Sequence, residues 1–217
     1  MALILLVALL LVSMTNATSS TWRYTTGKVE QFRGANNGYE AITRRLSQAT
    51  LNTYWDYDVP MKPTKYLRQS DLRFISGNMT SGAKKLLTTT TPRCPTHGVF
   101  FQAPLGYVDN TGSFGGLDNL LNTWGFYVEF NQDARPAFVT PQIAPLRYRY
   151  RLMELMQPSN SLTIYSFTSG VPTYAGRDWF TGSMASNSTA PRVLAENVIA
   201  LVLLDTTTGH KSVQVCA

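Results

Sequence analysis

The chain has 217 residues, 44% of them hydrophobic and 15% charged, which excludes wholesale disorder and allows one domain with a real core. Its formal net charge of +6 excludes a strongly acidic surface and leaves nucleic acid, anionic lipid or an acidic protein open as partners. Two cysteines, Cys94 and Cys216, are too few for a disulfide framework, and spacing alone leaves their pairing open.

Residues 1–51 read as one long helix in two parts, apolar over 1–22 and amphipathic over 23–51. Ala2, Leu3, Ile4, Leu5, Leu6, Val7, Ala8, Leu9, Leu10, Leu11 and Val12 form an unbroken apolar run, and no charged side chain precedes Arg23. That run is shorter than the ~20 residues a bilayer core requires, and residues 13–18 extend it only with weakly polar positions. Two readings stand. A secretory signal peptide would end at Thr15-Asn16-Ala17, while a signal-anchor lacking its first residues would stay in the membrane. The helical periodicity that resumes after Arg23 favours the anchor. Val29, Phe32, Ala35, Tyr39, Ile42, Leu46 and Ala49 recur at steps of three or four. Val29, Phe32, Tyr39, Ile42 and Leu46 are accordingly expected to hold the helix on a domain. Gly27, Gly34 and Gly38 are expected to weaken this half and bend it.

Residues 52–217 read as a β-rich domain. Leu51–Val59 enters a first strand or covers the core, and Pro60 and Pro63 mark a loop. Asp71–Ser76 alternates as a half-buried strand does, with Gly77 ending it. The threonine run 88–91 suits an exposed loop. Gly98–Ala103 is a buried strand, Leu117–Leu121 a short helix and Trp124–Phe130 a strand. In Arg147–Leu155 the three arginines 147, 149 and 151 share one face at period two. Leu162–Phe167 is another strand, and Gly170–Ala190 a long loop anchored by Trp179 and Phe180. Arg192–Asn197 reads as a helical turn. Val198–Leu204, apolar on both faces, is expected to be a central strand with a neighbour on either side. Thr206–Gly209 reads as a turn. No helix alternates with strands, so the fold class is α+β, a long N-terminal helix packed on a mainly antiparallel sheet.

Chemistry-bearing patterns are sparse. Cys94 and His97 are two ligands where zinc needs three or four, and the only other histidine is His210. No phosphate-binding glycine loop and no nucleophile elbow occurs. No catalytic, cofactor or metal residue is assigned. Residues 62–93 carry seven basic side chains against Asp71. The best binding candidate is the face of Arg147, Arg149 and Arg151, whose spacing suits phosphates or carboxylates, although an ordinary solvated strand looks the same.

Several stretches resemble Verru_Chthon cassette protein C, a prepilin-type family akin to type IV pilins and type II secretion pseudopilins. They are Thr21–Arg33 (TWRYTTGKVEQFR), Glu40–Thr50 (EAITRRLSQAT), Leu51–Tyr57, Val99–Gly106, Gly116–Phe130, Arg147–Tyr165 and Leu194–Val198. The resemblance implies a non-enzymatic subunit held in a bacterial inner membrane by Ala2–Val12, its domain periplasmic or extracellular. Its implied partners are membrane lipid and other pilin-like subunits, with nucleic acid not expected. The leader, its cleavage site and the glutamate near the mature amino end of pilins do not appear in this sequence. The expectation that follows is a longer protein, truncated here at both ends. The competing expectation is a secreted β-rich binding module that has lost residues 1–17.

Overall fold

A computed structural model of the chain describes residues 2–58, 62, 64–82, 85–87, 93–109, 112, 115–116, 119–132, 136, 138–168, 171–174, 178–185, 191–205 and 211–216. The first element is α1 (Ala2–Leu46), 45 residues without a break through any of its glycines. At 1.5 Å per residue it is about 67 Å long. It ends five residues before the expected boundary. Gln48 N–H donates to Arg45 O and Ala49 N–H to Leu46 O, tightening the last turn, and Thr50 N–H then donates to Gln102 O at 3.1 Å.

The strands follow as β1 (Thr53–Tyr57), β2 (Tyr66–Ser70), β3 (Phe74–Asn78), β4 (His97–Pro104), β5 (Leu121–Gln132), β6 (Tyr148–Gln157), β7 (Tyr165–Thr168) and β8 (Val171–Tyr174). A short helix, α2 (Asp178–Ala185), precedes β9 (Arg192–Glu196), β10 (Ala200–Asp205) and β11 (Lys211–Cys216). The core is an antiparallel sheet of order β3-β4-β5-β6-β9, with the pairs β1-β2, β7-β8 and β10-β11 as separate hairpins. One long helix on a mainly antiparallel sheet makes the fold α+β.

Both faces of the sheet are covered, which is why β4 and β5 read as nearly continuous apolar runs. On one face Val99, Phe101, Ala103, Trp124, Phe126, Val128 and Leu152 gather with Ile42 of α1. On the other, Phe100, Tyr127, Met153 and Leu155 pack with Trp179, Phe180 and Met184 of α2. Phe100 stacks on Phe180 at 4.1 Å between centroids. Opposite Phe100 in the register stands Gly125, where an added Cβ would overlap the ring.

The structure corrects several expected elements. Gly77 lies inside β3 and does not end it. The described part of 117–121 is not helical, since Leu121 begins β5. Two elements, β8 and α2, occupy the expected loop 170–190, and Trp179 and Phe180 are fully buried. Arg192–Glu196 is the edge strand β9, and Asn197 turns the chain with a φ of 60°. The apolar run ending at Leu204 is not a central strand. Among the described residues its strand β10 pairs with β11 alone, while its other edge donates Leu201 N–H to Thr96 Oγ1 at 3.4 Å and Leu203 N–H to His97 Nδ1 at 3.0 Å. Burial of Val198, Leu201 and Leu203 comes from packing onto the helix-side core. The threonine run 88–91 and the turn 206–209 lie outside the described residues.

Candidate membrane-anchoring helix and its seat on the domain

Residues 2–22 of α1 contain no charged side chain. Every described side chain from Leu3 to Val12 is exposed, and the helix holds an 18-residue window of mean hydropathy 1.9 with 0% of it buried. Four of the hydroxyls beyond Val12 bond within the helix. Thr15 Oγ1 donates to Leu11 O and Thr18 Oγ1 to Met14 O, both at 2.8 Å; Ser20 Oγ and Thr21 Oγ1 donate to Ala17 O at 2.8 and 2.9 Å. A hydroxyl bonded to its own helix can enter hydrocarbon at low cost. With those hydroxyls bonded, the uncharged stretch 2–22, which still carries Asn16, is about 31 Å long, against a bilayer core of about 30 Å. One helix is thus long and apolar enough to cross a membrane, as an anchor or as a signal sequence.

The apolar part ends at exposed Trp22 and Tyr24, with Arg23 between them and Lys28 Nζ 5.9 Å from the Tyr24 ring centroid. Aromatic rings interleaved with cations mark the headgroup level of a spanning helix.

The seat on the domain is not the expected stripe. Ile42 is fully buried and Leu46 packs on the helix-side core, but Phe32 is 74% exposed, and Val29 and Tyr39 are also exposed. The face that touches the sheet is rotated toward the glycines. Gly34 lies against Ala195, and a Cβ on Gly38 would come within 2.8 Å of Leu152 Cδ2. With no side chain at either position, the helix backbone approaches the sheet directly. Further along, the Arg45 guanidinium stands 4.7 Å over the Trp124 ring, whose Nε1 donates to Glu154 Oε1 at 2.8 Å. Periodicity analysis passes over glycines because they carry no hydrophobic weight. The signal that marks the seam is their four-residue spacing, continued by Ile42 and Leu46.

The three arginines do not form one open basic face. Arg147 is exposed ahead of β6, whereas Arg149 Nη1 pairs with Glu196 Oε2 at 3.1 Å. Arg151 is buried, its Nη1 donating to Asn131 Oδ1 at 2.7 Å and Gln132 O at 2.9 Å. Opposite it in register is Glu129, pushed above the ordinary carboxylate range by burial while Arg151 pulls it down. Burial, with Glu129 nearby, pushes the Cys94 thiol and the Tyr127 hydroxyl up. Such a thiol stays protonated at neutral pH and makes a poor nucleophile. His97 Nδ1 is engaged by the Leu203 N–H, and no cluster of metal-ligating side chains occurs among the described residues.

Compared with known proteins, the chain matches no family model, no curated protein and no solved structure.

Proposed function

We propose that the chain is a non-enzymatic, pilin-like subunit, of the kind its resemblance to Verru_Chthon cassette protein C implies. In this reading α1 anchors it as a single pass in a bacterial inner membrane, with the sheet domain on the periplasmic or extracellular side. The uncharged half of α1 then packs with its copies in a type IV pilus-like or type II secretion-like assembly. One observation carries the reading. A helix with an exposed, uncharged, internally hydrogen-bonded half runs unbroken into a half seated on a folded sheet. Lipid and a bundle of like helices reward the same all-round apolar surface. Nucleic acid is not expected as a partner in this reading, and the burial of one arginine of the candidate face and the pairing of another support that expectation.

Two measurements test it. Mass spectrometry of the mature amino end separates the anchor from the secreted module, because a protein beginning at Thr18 has lost its span. Disulfide crosslinking between Leu9→Cys copies in membranes should then give dimers and higher ladders. An intact but strictly monomeric chain would remove the assembly role and leave an anchored domain.

A further inference from the structure

The seat of α1 fixes which end of the sheet looks toward the membrane. Gly34 and Gly38 lie at Ala195 and Leu152, Arg45 at Trp124, and Thr50 at Gln102. In the ladders Leu152 stands opposite Val128, and Gln102 opposite Thr123. Toward its carboxyl end α1 therefore runs along β5 from Val128 to Thr123. Toward its amino end it runs the other way, to the pair Gln132 and Tyr148 where β5 gives over to β6. From the level of Gly34–Gly38, Trp22 is about 20 Å down the helix. The Gln132–Tyr148 pair is about 13 Å along the strands in the same sense. The described residues 138–147 lead into β6 at that pair.

Both ends of the sheet expose apolar side chains, since the far end carries Tyr107 and the β1–β2 hairpin, with Trp55 70% and Tyr66 63% exposed. The end at Gln132–Tyr148 is the one on the side of Trp22. Phe138 is 85% exposed, Ile143 78% and Tyr148 60%, with Leu146 exposed beside them. Backbone hydrogen bonds hold these turns in shape: Val139 N–H donates to Pro136 O at 3.0 Å, and Ile143 N–H to Thr140 O at 3.1 Å. Arg147 and Arg149 stand next to the apolar group. The other end of β6 exposes Asn160 and Ser161, with Asp109 beside them. Large apolar side chains, a tyrosine and arginines together form the composition that settles at a lipid headgroup boundary.

We propose that the β5–β6 loop is a second membrane contact. Phe138, Ile143 and Leu146 enter the interfacial layer of the bilayer that α1 crosses, and the exposed Arg147 meets the phosphates of anionic lipids. The contact holds the domain down on the membrane at one end, so its orientation does not rest on a single helix. This inference rests on the anchor reading of α1.

The test uses the full chain with Cys94 and Cys216 replaced by Ala, reconstituted in phosphatidylcholine vesicles with and without phosphatidylglycerol. An environment-sensitive fluorophore is placed through Val7→Cys, Phe138→Cys, Ile143→Cys or Ser161→Cys, and quenched by nitroxide-labelled lipid. The expected result is strong quenching at 7, shallow quenching at 138 and 143, and none at 161. Omitting phosphatidylglycerol, or adding Arg147→Gln, should lower the quenching at 143 about twofold or more. Quenching at 7 with positions 138 and 143 as dark to lipid as 161 overturns the second contact and leaves the anchor standing. No quenching at 7 overturns both. Quenching at 138 and 143 indifferent to lipid charge and to Arg147→Gln overturns the phosphate contact.

Discussion

The two halves of α1 are made of one continuous helix yet hide opposite things. From Leu3 to Val12 the side chains are large, apolar and exposed, and the domain covers none of them. From Gln31 to Ala49 the residues turned to the sheet are mostly small, while Phe32 and Tyr39 stand outside. In the first half, hydrophobicity measures what a surrounding solvent must supply. In the second half it measures contact at Ile42 and Leu46 but misses Gly34 and Gly38, because close approach to a sheet is gained there by removing side chains. Hydrophobic weight finds a membrane face well and a glycine-lined packing face poorly.

The sharpest way to break that comparison is to hollow out the one large side chain the second half does bury. Ile42 is fully buried within the helix-side core. Ile42→Ala should lower the unfolding free energy of the full chain in detergent by about 2–5 kcal/mol, read from denaturant titration followed by Trp124 fluorescence. A loss well under that range would mean that α1 sits on the sheet loosely. The first half has the complementary test. Leu9→Arg should cost about 3 kcal/mol of membrane insertion and shift the chain into the alkali-extractable fraction, with domain stability unchanged. Equal resistance to extraction would show that residues 2–22 are not what holds the protein in the membrane.

The glycine seam comes next. Gly38→Val should destabilise by about 1–3 kcal/mol by forcing Leu152 off its rotamer or lifting the helix. Gly27 has open space around its Cα and no neighbour for an added Cβ. There, Gly27→Ala should leave the domain unaffected or raise its stability by up to about 1 kcal/mol. Opposite signs at two glycines of one helix would sharpen the contrast between contact and propensity, and equal effects would erase it.

How much of this was legible follows from the same physics. The long helix, its two-part character, the strands around Val99–Phe101, Trp124–Phe130 and Tyr148–Leu155, and the α+β class all carry strong periodicity or apolar content. α2 is hidden because its small and polar residues read as loop, with Trp179 and Phe180 alone announcing an anchor. The strand β9 reads as a helical turn because its five residues follow a proline and show little alternation. An apolar run such as Val198–Leu204 announces burial without saying whether the cover is a lateral strand or a packed face. The alternation of Arg147, Arg149 and Arg151 identified a shared side but not its environment. Only the partners Asn131, Gln132 and Glu196 reveal which arginines are committed.

The smallest expected effect is also the most discriminating. Phe32 is among the residues that periodicity assigns to the domain contact, and burying such a side chain would be worth several kcal/mol. In the structure it is 74% exposed, two residues before Gly34 and on the opposite side from the seam. Phe32→Ser should therefore move domain stability by no more than about 0.5 kcal/mol in either direction. It lies about 15 Å along the helix beyond Trp22, outside the hydrocarbon core, so extraction by alkali should not change either. Measured beside Ile42→Ala in the same titration, the difference between the two should exceed about 2 kcal/mol. A Phe32→Ser loss above about 1 kcal/mol would turn the helix back to the face its hydrophobic periodicity predicts, and Gly34 and Gly38 would no longer be the seam.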